Sequence, residues 1–204
     1  MIIRFADLSG PSEALVSALS GVDVLISAIS AGSQLEQKAL ASAAREAGVK
    51  RFLPCGFTTI APPGDVMILR DDKEEIYAHV KEIGLPYTVV DVGYWYQISY
   101  PRLPSGRVDY AMPLPNSDIH GDGEAPNILI DKRDIGRFVA RIITDDRTLD
   151  RYVYACGAVL TENQIFAMME ELSGEKIERN QACHLSSLGP LSTNQANNGL
   201  AGIQ

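Results

Sequence analysis

The chain has 204 residues, enough for one sizeable hydrophobic core, or one core with a small added lobe. Its 46% hydrophobic and 22% charged residues match an ordinary soluble globular composition, and no apolar run approaches the roughly 20 residues that span a bilayer. A formal charge of −8 argues against nonspecific nucleic-acid binding, which needs cations to displace phosphate counterions.

The opening MIIRFADLSG has no charged region followed by a sustained apolar core and a cleavage site, so no secretory signal is read and a cytoplasmic location is expected. Ile2, Ile3 and Phe5 predict a short strand (2–5). Ser12 is a candidate cap for a helix (12–19) carrying Leu15, Val16 and Leu19, and Glu13 suits its first turn. The nearly continuous apolar run 22–29 predicts a parallel strand covered on both faces. It ends in the small residues Ser27, Ser30, Ala31, Gly32 and Ser33. Leu35, Leu40, Ala43, Ala44 and Ala47 give a helical face (34–47) stopped by Gly48, and a strand (49–53) follows, ending in Pro54, Cys55 and Gly56. Small residues at the carboxyl ends of such strands leave room for a ligand against the main chain.

Asp71 or Asp72 opens the next predicted helix (73–83), in which Lys73 is a first-turn lysine and Tyr77 stands one turn further on. A strand (85–90) leads into the aromatic segment Tyr94-Trp95-Tyr96, which either lines a hydrophobic pocket or fills a core edge. Residues 100–126 are rich in Pro, Gly, Asp and Ser and predict turns, with His120-Gly121-Asp122-Gly123 among them. A strand (128–130), a helix begun by Asp131 or Asp134, a strand (149–155) and a helix capped by Thr161 complete the pattern, with Met168 and Met169 expected as core filling. After Arg179 no period is sustained and an irregular tail is expected.

The strict alternation of strands and helices predicts a doubly wound α/β fold, a Rossmann-like parallel sheet with helices on both faces. No GxGxxG or GxxGxxG occurs, so the chain reads as lacking the first strand and glycine-rich loop of such a fold. The expected organisation is a partial nucleotide-binding domain (1–99), a small C-terminal substrate-side lobe with returning fold elements (100–179) and the tail (180–204). Cys55, Cys156 and Cys183 and the histidines His79, His120 and His184 are scattered, which supports neither a disulfide framework nor a metal site.

GVDVLISAIS, AGVKRFLPCGF, DDKEEIYAHVKEIGLPYTVVDVGYW and IHGDGEAPNILIDKRDIGRFVARIITDDRTLDRYVY, in that order, resemble segments of the isoflavone reductase-like and NmrA-like branch of the atypical short-chain dehydrogenases. The resemblance covers residues 1–179. It implies an NADP(H)-dependent reductase fold acting on a small aromatic or phenolic metabolite, while the charge and the lack of a spanning apolar run argue against a nucleic-acid or membrane partner. Lys73 matches the family's catalytic lysine, expected to position or protonate a substrate oxygen. Ser27, Ser30, Gln34, Pro54, Cys55, Gly56 and Phe57 match cofactor-facing positions. Cys55 stands where Ser is frequent and Gly56 where an acidic residue is frequent. Tyr77, Gly93, Tyr94 and Trp95 are the substrate-side candidates. Two other readings stay open: a noncatalytic NmrA-like regulatory or binding protein, and a redox-neutral isomerase or dehydratase using the same pocket.

Overall fold

The computed structural model describes residues 3–64, 67–111 and 118–182. They form two compact units. The first holds the described residues within 1–97 and 127–159, and the second those within 98–126 and 160–182.

In the first unit, helix α1 (Ser12–Leu19) precedes strand β1 (Val24–Ile26), and a 3-10 segment (Ala31–Glu36) leads into α2 (Gln37–Glu46) and β2 (Arg51–Leu53). Then come α3 (Ile68–Glu82), β3 (Thr88–Asp91), β4 (Tyr94–Trp95) and the single turn α4 (Tyr96–Ser99). The chain returns to this unit with β6 (Asn127–Ile130), α5 (Lys132–Ile142) and β7 (Arg151–Tyr154). β1 pairs with β2, a Phe52–Tyr87 bridge joins β2 to β3, and β3 pairs with β7, all in parallel. The spatial order β1-β2-β3-β7 is the expected parallel sheet.

Alternation along these strands sorts side chains to two faces. Phe52 and Val89 pack with Leu15, Leu19, Leu40, Ala44, Ile76 and Val80, so α1, α2 and α3 cover one face. Leu53 and Val90 pack with Val139 and Ile142 of α5 on the other. Short β4 pairs in parallel with β6, which also borders β8 (Ala158–Leu160).

The second unit contains β5 (Asp118–His120), α6 (Glu162–Ser173) and β9 (Asn180–Ala182), with β5 and β9 paired in parallel. Its core is Leu103, Ile119, Phe166 and Ile177, with Met169 packed against it. Met168 is 48% exposed and is not core filling. Thr161 caps α6 as expected: its side chain accepts the Gln164 N–H while the Gln164 side chain accepts the Thr161 N–H. Gly121 and Gly123 adopt positive φ in the expected turn.

Several boundaries differ from the sequence reading. Residues 3–5 form no strand. Arg4 donates instead to the carbonyls of Ala18 and Ser20 at the end of α1, and Phe5 is 92% exposed. Pro11, not Ser12, occupies the cap position of α1. β1 is shorter than 22–29 and half-covered, with Ile26 41% exposed, because among the described residues it has a partner strand on one side only. α3 begins at Ile68, well before 73, which moves Lys73 into its second turn and removes the first-turn clash with the helix dipole. Asn180–Ala182 is strand rather than irregular tail, and residues 183–204, with Cys183 and His184, lie outside the described residues.

Candidate active site at the strand ends

Parallel strands present their carboxyl ends on one edge, where ligands of α/β sheets bind. On that edge β1 runs out into Ser27–Ser30, β2 into Pro54–Phe57 and β3 into Asp91–Gly93. The Ser27 N–H donates to the Leu53 carbonyl, and the Phe57 N–H to the Val90 carbonyl, so the three ends stay in register past the regular strands. Turning there forces Phe57 to a φ of 41°, a left-handed conformation worth about 1–3 kcal/mol of strain in a residue with a side chain. Its carbonyl accepts the Trp95 indole N–H at 3.1 Å, which ties the aromatic segment to this edge.

Lys73 reaches the edge from α3. It is 5% exposed, and its Nζ donates to the carbonyls of Cys55 at 2.7 Å and Gly56 at 2.8 Å. Burial lowers the amine's pKa, and Arg70 pushes the same way, while Cys55 and Asp91 oppose the shift. An ammonium has three N–H donors and two are used here, so one remains for a substrate atom.

The sequence-predicted cofactor residues converge around the same peptide. Gln34 donates to the Ser30 carbonyl at 3.2 Å and lies 3.9 Å from the Cys55 sulfur, whose S–H donates to the Ile29 carbonyl. Gln37, absent from the sequence candidates, binds this group together. Its Oε1 accepts the Cys55 N–H at 2.6 Å and its amide donates to Gln34 Oε1 at 2.9 Å. A glutamine three residues after Gln34 on an otherwise alanine-rich helix face was the available signal. Ser27 is 3% exposed and its hydroxyl has no partner among the described residues. A buried, unpaired hydroxyl on the carboxyl edge of the sheet, with space free at Gly32, leaves a polar group available to a ligand there. No glycine-rich strand-to-helix turn for the pyrophosphate occurs among the described residues.

The substrate-side candidates separate. Tyr94 is 40% exposed and Trp95 half-buried on β4. Gly93 has a φ of +75°, and a Cβ there would stand 2.3 Å from the Ile128 carbonyl oxygen, so the close approach of β4 to β6 requires glycine. Tyr77 is 1% exposed, packed edge-on against Tyr152 with ring centroids 5.7 Å apart, and burial raises the pKa of its hydroxyl. It is enclosed behind Lys73 rather than open to a ligand. Arg70 and Asp91, also buried and ion-paired at 2.7 Å, were not among the sequence candidates. Among the described residues no group of three His, Cys, Asp or Glu could hold a metal ion, and no helix is long and apolar enough to cross a membrane.

Over 176 residues the chain is 45% identical to asnovolin J 5',6'-dehydrogenase of Aspergillus novofumigatus, covering 85% of this chain and 54% of that protein. It is 33% identical over 182 residues to pinoresinol reductase 1 of Arabidopsis thaliana, covering 82% and 56%. The chain therefore spans about half the length of these curated relatives. Among solved structures, the ternary complex of leucoanthocyanidin reductase from Vitis vinifera matches with a TM-score of 0.70 at 26% identity, over 84% of this chain and 61% of that one. AtPrR2 with NADP+ and (+)-pinoresinol matches with a TM-score of 0.71 at 27% identity, over 90% and 64%. The Rossmann-like reductase fold is thus the fold of this chain. With residues 3–197 also matching the NmrA-like family model, the chain belongs to the NmrA-like family.

Proposed function

We propose that this chain forms the nicotinamide and substrate side of an NADP(H)-dependent oxidoreductase acting on a small aromatic or phenolic metabolite of secondary metabolism. The observation that carries this reading is the buried Lys73 amine, held on the Cys55 and Gly56 carbonyls at the carboxyl edge of the parallel sheet. Relatives named as a reductase and as a dehydrogenase support hydride transfer, in its two directions. The cofactor supplies or accepts the hydride when bound. Ser27, Ser30, Gln34 and the 54–57 peptide are the groups available to hold its nicotinamide end. Lys73 donates its remaining N–H to the substrate oxygen on which negative charge grows, and gives it a proton. In the reverse direction the amine takes that proton back. Burial lowers the amine's pKa, which makes its ammonium a readier proton donor. Tyr94 and Trp95 supply an aromatic wall for the substrate.

Calorimetry on the folded chain with NADPH, NADP+, NADH and NAD+ tests the reading, with binding of the phosphorylated pair expected. Lys73→Met keeps the bulk of the side chain and removes the charge. NADPH affinity should change little, while turnover of an accepted phenolic substrate falls by about 100-fold or more. A folded chain that binds none of the four nucleotides would leave a noncatalytic NmrA-like binding protein in its place, and unchanged turnover in Lys73→Met would remove the role given to Lys73.

A further inference from the structure

Three polar side chains buried behind Lys73 have no part in the chemistry above. Asp91 ends β3, on the face that Val89 turns toward α3, and is 1% exposed. Its Oδ2 accepts Arg70 Nη1 at 2.7 Å, and Arg70 Nη2 also holds Glu74 at 2.5 Å. Asp91 Oδ1, Arg70 Nε and the Tyr77 hydroxyl have no partner among the described residues. A buried ion pair costs about as much desolvation as it returns in attraction, so well-packed apolar side chains would stabilise this place as well or better. Stability therefore does not account for the cluster.

Its geometry does. Carrying the Phe52–Tyr87 register forward sets Gly56 beside Asp91. A Cβ on Gly56 would stand 2.9 Å from the Val90 carbonyl oxygen, 3.1 Å from the Tyr77 hydroxyl and 3.5 Å from Asp91 Oδ1. The peptide whose carbonyl receives Lys73 is thus clamped against both groups. Among the described residues Lys73 itself bonds only to neutral carbonyls. Of the groups that act on its charge, the Cys55 thiol just past β2 and the Asp91 carboxylate on β3 favour it, and Arg70 on its own helix opposes it. Asp91 is the one carboxylate in that set.

We propose that Asp91, oriented by Arg70, is a positioning residue for Lys73: it keeps the enclosed ammonium charged and, packed against Gly56, holds the carbonyl on which the amine rests. This rests on the role proposed above for Lys73. Burial pulls the amine toward its neutral form, which cannot donate a proton to substrate.

The test is NMR titration of the nucleotide-free chain labelled with 13C-lysine, with the Lys73 signal assigned from its loss in Lys73→Met. In Asp91→Asn the Lys73 titration should move to lower pH, and in the distant Asp145→Asn it should stay in place. General loosening of the site would admit water and move it upward in every variant, so a downward shift in Asp91→Asn separates positioning from structural damage. An unmoved or raised titration in folded Asp91→Asn overturns the proposal. Should that variant not fold, 13C-aspartate labelling of the unaltered chain decides: Asp91 ionised between about pH 5 and 8 supports the proposal, and Asp91 protonated there overturns it. Because no nucleotide is present, failure of the oxidoreductase reading appears in calorimetry alone, and failure of this proposal appears in the titration alone.

Discussion

Gly93 and Lys73 show how differently two site candidates are decided. Lys73 was legible because its neighbours in sequence resemble a family segment, and its enclosure at 5% exposure then followed from the packing of α3 onto the strand ends. Gly93 was legible only as a substrate-side position matched through the resemblance. Its positive φ, and the 2.3 Å that would separate any Cβ from the Ile128 oxygen, make it a backbone requirement first. Gly93→Ala should destabilise the chain by at least about 2 kcal/mol, from left-handed strain plus the displaced strand. A urea titration with a lower midpoint and unchanged slope would show this, and an unchanged midpoint would mean the strand crossing has room for a side chain. Tyr77 makes the same point from the other side: a tyrosine one turn from a lysine looks like a ligand pair, yet its ring completes the core with Tyr152.

At the scale of elements, a helix can start well before its first acidic residue. α3 opens at the exposed Ile68, after Met67 in extended conformation, and its later residues Ile76, Tyr77 and Val80 pack with Phe52 and Val89. α5 behaves as its sequence suggests, with Asp131 accepting the Arg133 N–H as its cap. Its far end is closed by a residue from another strand: Arg51 of β2 donates to the Ile142 and Asp145 carbonyls and to the Thr148 hydroxyl. The following 3-10 turn (Asp146–Thr148) is capped by Asp145, whose carboxyl the Arg147 side chain and N–H hold down from 3.8 to about 2. A carboxyl with a depressed pKa stabilises the fold fully above its ordinary value and loses that contribution as pH falls through its folded one. The stability difference between the unaltered chain and Asp145→Asn should therefore be constant above about pH 5, shrink below about pH 4 and vanish under about pH 2. Acid unfolding curves of the two proteins measure it, and a gap that persists at the lowest pH would mean the Asp145–Arg147 pair is not its source.

For the whole molecule, the two units carry separate cores, one built on both faces of the parallel sheet and one around Leu103, Ile119, Phe166 and Ile177. The proposed nucleotide contacts all belong to the first unit. Ligand binding to the folded state alone raises stability by mass action, about 2.7 kcal/mol at 100 times Kd. NADPH should accordingly raise the melting temperature of the chain with a concentration dependence that matches its calorimetric affinity, and Lys73→Met should keep that shift. A melting temperature indifferent to NADPH would count against nucleotide binding by the native state.

Period and punctuation in the sequence by themselves determined the α/β class, the parallel sheet and the order of helices, because apolar repeats report directly which faces a segment must bury. The ordered family segments placed Lys73 and the strand-end residues. Only the tertiary structure decided what surrounds them. Gln37, Arg70 and Asp91 are polar residues in three separate segments, and nothing local to 37, 70 or 91 states that Gln37 meets the Cys55 N–H or that Arg70 meets Asp91. Those meetings depend on β2 and β3 lying side by side and on α3 crossing their ends, which are contacts between segments far apart in the chain.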